Sequence, residues 1–189
     1  YKTEMFSVKG DVIDDIDISS FDSSIKLGNE RASISQIGGV VRRFSELNLA
    51  KSICNDLDKR DIIVLDGCLK GLVKGEDRYL NELFETGVEK EIIISSLAKT
   101  SNRFLDKRSV LNEINNVDCG LDKWHYNIGK ENDYDVSVAK LNKNSDYVFE
   151  FNIYEKQADM KEAVLSILAA NSNDAVFPGY PYGLTLADK

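Results

Sequence analysis

A mixed-sheet α/β domain is the fold this sequence predicts, and three patterns carry that expectation. Continuously apolar runs end in polar turns, helical apolar spacing separates them, and two strictly alternating segments follow late in the chain. The run "IIVLDGCL" at residues 62 to 69 has the composition of a strand covered on both faces. It nevertheless finishes on Asp66, an acid rarely buried without a partner or a metal. Asp66-Gly67 is compatible with a plain turn. It is equally compatible with an acid at the mouth of a sheet, where α/β proteins hold ligands.

In chain order, "DIDISSFD" at 15 to 22 alternates Ile16, Ile18 and Phe21 before Asp22, as a first strand ending on an acid does. Residues 32 to 44, "ASISQIGGVVRRF", read as a second strand or hairpin arm with a bulge or turn at Gly38-Gly39. Phe44, Leu47, Leu49, Ala50, Ile53, Cys54 and Leu57 then recur at helical spacing behind Ser45, predicting a helix over 45 to 58. After the 62 to 66 strand come a charged helix at 76 to 90 and a second buried strand in "EIIISSLAKTS". A short helix at 106 to 115 follows. "YDVSVAKLN" and "YVFEFNIYE" form an antiparallel hairpin around residues 142 to 146. Residues 158 to 171 are a helix with Met160, Ala163, Val164, Ile167 and Leu168 on one face, and the tail "FPGYPYGLTLADK" holds both prolines before a helix start.

The 189 residues are expected to form one domain, 1 to 189, with a core that needs no staples. No apolar stretch nears the ~18 residues of a membrane span, and no signal-peptide pattern opens the chain, so a cytoplasmic protein without membrane partners is expected. Cys54, Cys68 and Cys119 lack CxxC spacing and read as reduced thiols rather than a disulfide framework or zinc site. With 24 basic and 32 acidic residues the formal charge is −8, which argues against nucleic-acid binding through bulk charge. It leaves room for an enzyme whose acids gather divalent cations.

Asp22, Glu46 and Asp66 stand at or beside predicted element ends. Brought to one sheet edge, such acids repel unless a cation neutralises them, and carboxylate oxygens suit Mn²⁺ or Mg²⁺ in phosphodiester hydrolysis. In a chain with 32 acids, three at element ends also arise by chance, and Glu46 is equally explained by a helix dipole.

Read in order, "FDSS" at 21 to 24, "RFSELNLA" with Glu46 and Ala50, "LDGCL", "SLAKTS", "VAKLN" and "GYPYGLTLAD" resemble the motif series of the NurA nuclease family. These nucleases work with the HerA-type hexameric translocase in DNA end processing. The resemblance implies an RNase H-like mixed sheet flanked by helices, a Mn²⁺ (or Mg²⁺) site built from acids, a homodimer, DNA as substrate and a HerA-type ATPase as partner. Carried over by position, Asp22, Glu46, Asp66 and Asp188 are the metal-binding acids, and Lys99 contacts the scissile phosphate, where its plainer reading is a solvated turn residue. Ser23 stands where the family usually has glycine, Gly183 where it often has a second proline, and the chain is shorter than most members. The implied activity is a metal-dependent deoxyribonuclease. The alternatives are a catalytically quiet scaffold of the same shape that binds a translocase or repair factor, and a related hydrolase acting on RNA.

Other residues invite a role and a plainer reading side by side. His125, the one histidine, sits in "KWHYN" as a packed or surface residue, while Trp124, His125 and Tyr126 together offer a base-stacking edge. Arg103, Lys107 and Arg108 make the most basic stretch, a phosphate-tracking edge or a solvated helix face. Tyr180 and Tyr182 flank Pro181 and are expected to pack on the core so as to position Asp188. Ser23, Ser24 and the cysteines lack a partnered base.

Overall fold

The structure, a computed structural model, describes residues 26–27, 30–31, 34–71, 75–101, 103–105, 108–115, 120–174 and 177–187. The strand expected at 15 to 22 lies outside them. The chain divides into two compact units, residues 1–59 with 70–92 and residues 60–69 with 93–189.

In the first unit, β1 (Lys26–Leu27) pairs antiparallel with β2 (Glu30–Arg31). The helix α1 then spans Ile34–Ile53, 20 residues. This corrects the strand or hairpin expected over 32 to 44 and the helix start expected at Ser45. Val40, Phe44, Leu47, Ala50 and Cys54 are all buried, at steps of four, three, three and four residues, so one apolar stripe runs straight through the expected boundary. Gly38 and Gly39 lower helix propensity, but both are exposed with open space around them and interrupt no packing. Ser45 caps nothing; its hydroxyl donates back to the Val41 carbonyl at 2.9 Å, as mid-helix serines do. The helix α2 (Glu76–Lys90) has the expected bounds: Leu80, Leu83 and Phe84 are buried, acids occupy its first turn and Lys90 its last, complementing the helix dipole. Phe44 meets Tyr79 edge to face at 4.8 Å, and Lys51 bonds Glu82 at 2.7 Å, tying α1 to α2.

The second unit is built on a mixed five-stranded sheet. Its strands are β3 (Ile62–Asp66), β4 (Ile93–Ala98), β7 (Trp124–Glu131), β8 (Tyr134–Lys140) and β9 (Phe149–Tyr154), in the order β3-β4-β9-β8-β7. β3 and β4 are parallel and every other pair is antiparallel. The expected β8–β9 hairpin is present. β7 was not expected as a strand: as an edge strand it is largely exposed, and a bulge between Asn127 and Gly129 breaks its alternation. A short ribbon, β5 (Phe104–Leu105) with β6 (Arg108–Ser109), leads into α3 (Val110–Asn115). A 3-10 turn, Glu155–Met160, leads into α4 (Lys161–Ala170), and α5 is Tyr182–Ala187.

The register sets two faces. Ile93, Leu97, Phe149, Phe151 and Ile153 form one buried cluster with Val164, Leu165 and Leu168 of α4, Tyr180 and Leu184. On the other face Leu111, Val138 and Val148 cluster, with Ile114 and Trp124 at their margin. No described helix is long and apolar enough to cross a membrane.

Candidate functional site at the carboxyl ends of β3 and β4

Asp66 is the last residue of β3, paired with Leu97 of β4, and Gly67 then leaves the sheet at φ 104, a conformation glycine adopts without a Cβ penalty. The Gly67 amide donates to the Leu97 carbonyl at 3.1 Å, so the turn is fixed and the Asp66 side chain stands exposed on the rim. The turn and the sheet-mouth readings of Asp66 therefore describe the same place. Tyr180 reaches it from the C-terminal segment, its hydroxyl donating to Asp66 Oδ1 at 3.0 Å. Lys99, just past the end of β4 and exposed, carries its Nζ 4.2 Å from the centroid of the Tyr180 ring, a cation–π geometry.

Tyr180 can serve as this hinge point because it is only 1% exposed. Its ring lies 5.5 Å from Phe149 and 5.9 Å from Phe177. The Gly179 amide donates to Ser172 O at 3.0 Å and the Tyr182 amide to Asn171 O at 3.0 Å, which fixes the approach of the segment. Tyr180 thus packs on the core as expected, whereas Tyr182 is exposed. α5 follows, and Asp188 lies just beyond the described residues, as does Asp22.

Glu46 belongs to the first unit and lies well inside α1, not at a helix start, where Arg43 Nη1 donates to it at 3.0 Å. Arg43 Nε also donates to Glu76 at 2.8 Å, and the Glu76 side chain has no exposure. Burial works against the charge on Arg43, but Glu46 and Glu76 outweigh it and raise the guanidinium pKa above its ordinary value. Within the second unit, Asp66 and Lys99 share Tyr180 as a common contact. Among the described residues no three His, Cys, Asp or Glu side chains converge to hold a metal ion.

A second polar cluster occupies the opposite sheet face. Arg103 donates through Nη1 and Nη2 to both oxygens of Glu131, the latter at 2.9 Å, and through Nε to Glu150 at 3.1 Å. The guanidinium is thereby committed to two carboxylates, a correction to its reading as a phosphate-tracking edge; Lys107 and the side chain of Arg108 lie outside the described residues. The hydrogen bonds that Arg103 donates to Glu131 lead in raising the Arg103 pKa beyond its usual range, overcoming partial burial. Ser101 donates to Glu150, Tyr134 donates to Glu131 at 3.0 Å, and Asn152 Nδ2 donates to Glu150 at 3.2 Å. Burial, reinforced by Glu131, pushes the Tyr134 phenol well up. Asn152 Oδ1 and Ser96 Oγ are buried in this band without a partner among the described residues. The sequence carried a faint signal for it: Glu150 and Asn152 alternate with Phe149, Phe151 and Ile153, the pattern of a solvated face, yet they are 4% and 0% exposed.

His125 meets an acid distant in sequence, its Nε2 3.0 Å from Glu162 Oε2, in a groove of about 340 Å³ lined also by Lys123, Lys140, Leu165 and Ser166. Trp124 and Tyr126 lie on the face of the second core cluster, whereas His125 between them turns to the other face and Glu162, so the three do not make one stacking edge. Burial pushes the Cys54 thiol up.

No family model, curated protein or solved structure matches the chain.

Proposed function

We propose that this chain is a metal-dependent DNA nuclease with an RNase H-like core, of the kind its NurA-like motifs imply. One observation carries the reading. Asp66 of "LDGCL", Lys99 of "SLAKTS" and Tyr180 of "GYPYGLTLAD", separated by tens of residues in sequence, meet at the carboxyl ends of two parallel strands. That rim is where α/β sheets hold ligands. An exposed acid beside an exposed cation is also the minimum that phosphodiester hydrolysis asks for, one group for a metal ion and one for the phosphate.

Asp66 offers hard oxygen donors suited to Mn²⁺ or Mg²⁺. The other acids of the set that the resemblance implies are Asp22, Glu46 and Asp188. When bound, such an ion supplies Lewis acidity at the phosphate and lowers the pKa of water. Tyr180 orients the Asp66 carboxylate through its hydroxyl, and Lys99 offsets negative charge developing on the phosphate oxygens. DNA, a HerA-type ATPase and a second copy of the chain are the partners of this reading, and a basic partner would help a chain of charge −8 hold DNA. A Mn²⁺ titration with a labelled oligonucleotide tests it: wild type should cleave, and Asp66→Asn should not while keeping its fold. Retained cleavage in the purified variant would remove the role given to Asp66.

The neutralisation of Glu46 by Arg43 favours a second reading, a catalytically quiet scaffold that binds the same partners. It expects no cleavage from wild type at any Mn²⁺ concentration.

A further inference from the structure

An aromatic ladder leads from solvent to Asp66. Tyr147, 62% exposed, and Phe177, 39% exposed, hold their rings nearly parallel, with an interplanar angle of 7° and centroids 6.5 Å apart. Phe177 meets Tyr180 edge-on at 5.9 Å, and Tyr180 carries Asp66 on its hydroxyl and Lys99 over its face. Single exposed aromatics are ordinary on protein surfaces. Two parallel rings joined through a third to an acid and a lysine are a directional arrangement.

The backbone that carries the outer rings is held in place. Ser145 Oγ donates to the Tyr147 carbonyl and accepts from the Tyr147 amide, both at 3.1 Å. Gly179 packs so closely on Ser145 that an added Cβ would lie 2.3 Å from its Oγ, and the Phe177 amide donates to Asp174 at 3.3 Å. A ligand stacking here would not have to order that backbone first.

Flat, apolar faces without a hydrogen-bonding code suit a nucleobase, every one of which has a π-face, and only a base free of its duplex stack can offer that face. We infer that Tyr147 and Phe177 form a stacking platform for bases of single-stranded DNA, feeding the adjoining phosphate toward Lys99 and Asp66. The inference rests on the nuclease reading above and narrows its substrate to unpaired strands.

The test is fluorescence anisotropy of labelled oligothymidylate with EDTA present, so that no cleavage occurs, beside an abasic oligonucleotide of equal length that presents phosphates alone. Wild type should bind oligothymidylate more tightly than the abasic strand. Tyr147→Ala and Phe177→Ala should each weaken oligothymidylate binding about 5- to 100-fold. Abasic binding should stay unchanged, and Tyr147→Phe should bind as wild type. Wild-type affinity in both alanine variants overturns the inference, as does a wild type that binds neither strand or both alike. If Phe177→Ala melts early, Tyr147→Ala, the more exposed position, decides alone. Ladder-dependent binding without Mn²⁺-dependent cleavage would keep the platform and remove the hydrolytic reading; cleavage with ladder-independent binding would remove the platform only.

Discussion

The phenolic hydroxyl of Tyr180 donates to Oδ1 of Asp66 across 3.0 Å, joining residues 114 positions apart. Tyr180→Phe keeps the ring, its packing and the face beneath Lys99 while deleting that one bond. A hydrogen bond to a charged group contributes about 1.5–3 kcal/mol, and exposure of Asp66 on the rim reduces this toward about 1 kcal/mol. The variant should therefore lose about 1 kcal/mol in urea denaturation and, with the carboxylate less well oriented, cleave roughly tenfold more slowly. Wild-type stability and rate together would leave the hydroxyl contact without a role.

Gly179 sets the approach of the Tyr180 segment. Its φ of 96 disfavours any L side chain, and a Cβ would stand 2.4 Å from that of Ser145. Gly179→Ala should cost more than the ~1–2 kcal/mol of left-handed backbone strain alone, because the clash adds to it. Ser145→Gly removes the clashing atoms but not the strain, so Gly179→Ala should cost less in a Ser145→Gly chain than in wild type, while still costing something. An equal cost in both chains, or none in the Ser145→Gly chain, in urea denaturation would contradict the division between the two causes.

The parts of this arrangement that sequence reveals are those encoded locally. The β8–β9 hairpin alternates strictly, α2 has acids at its start and Lys90 at its end, and Asp66 and Lys99 announce themselves by following apolar strands. The start of α1 is hidden because Gly38-Gly39 resembles a turn while the stripe through Val40 and Phe44 continues past it. β7 is hidden by its bulge and its exposed edge. At the site, nothing local links position 180 to position 66, and the polar alternation of Glu150 and Asn152 points to water although both are buried. These features are decided by long-range packing, which a residue pattern does not record.

Arg103 is the hub of the buried polar band, so its loss should be felt well beyond its own contacts. Glu150 has 5% side-chain exposure, and Arg103→Met leaves it charged without its cation. Breaking one side of a buried pair costs about 3–5 kcal/mol, whereas replacing both sides is far milder. The double variant Arg103→Met, Glu150→Gln should therefore be more stable than Arg103→Met alone. An additive double-mutant cycle in chemical denaturation would show that the two residues are energetically independent.

Glu82 gives a pH dependence of definite sign. Hydrogen bonds from Lys51 of α1 and then from Arg78 lower its carboxyl below the unperturbed value of 4.5. The folded chain thus binds a proton there less readily than the unfolded chain does. The stability that Glu82 contributes is fully present above about 4.5 and is lost as pH falls through the lower folded value. Measured by thermal melts, the difference between wild type and Glu82→Gln should be constant from neutral pH down to that point and shrink below it. Because the Glu82 side chain is 33% exposed and Lys51 43%, added salt should also shrink the difference at neutral pH. A gap that stays constant into acid, or that widens there, would mean that the Lys51–Glu82 pair does not hold α1 against α2 through its charge.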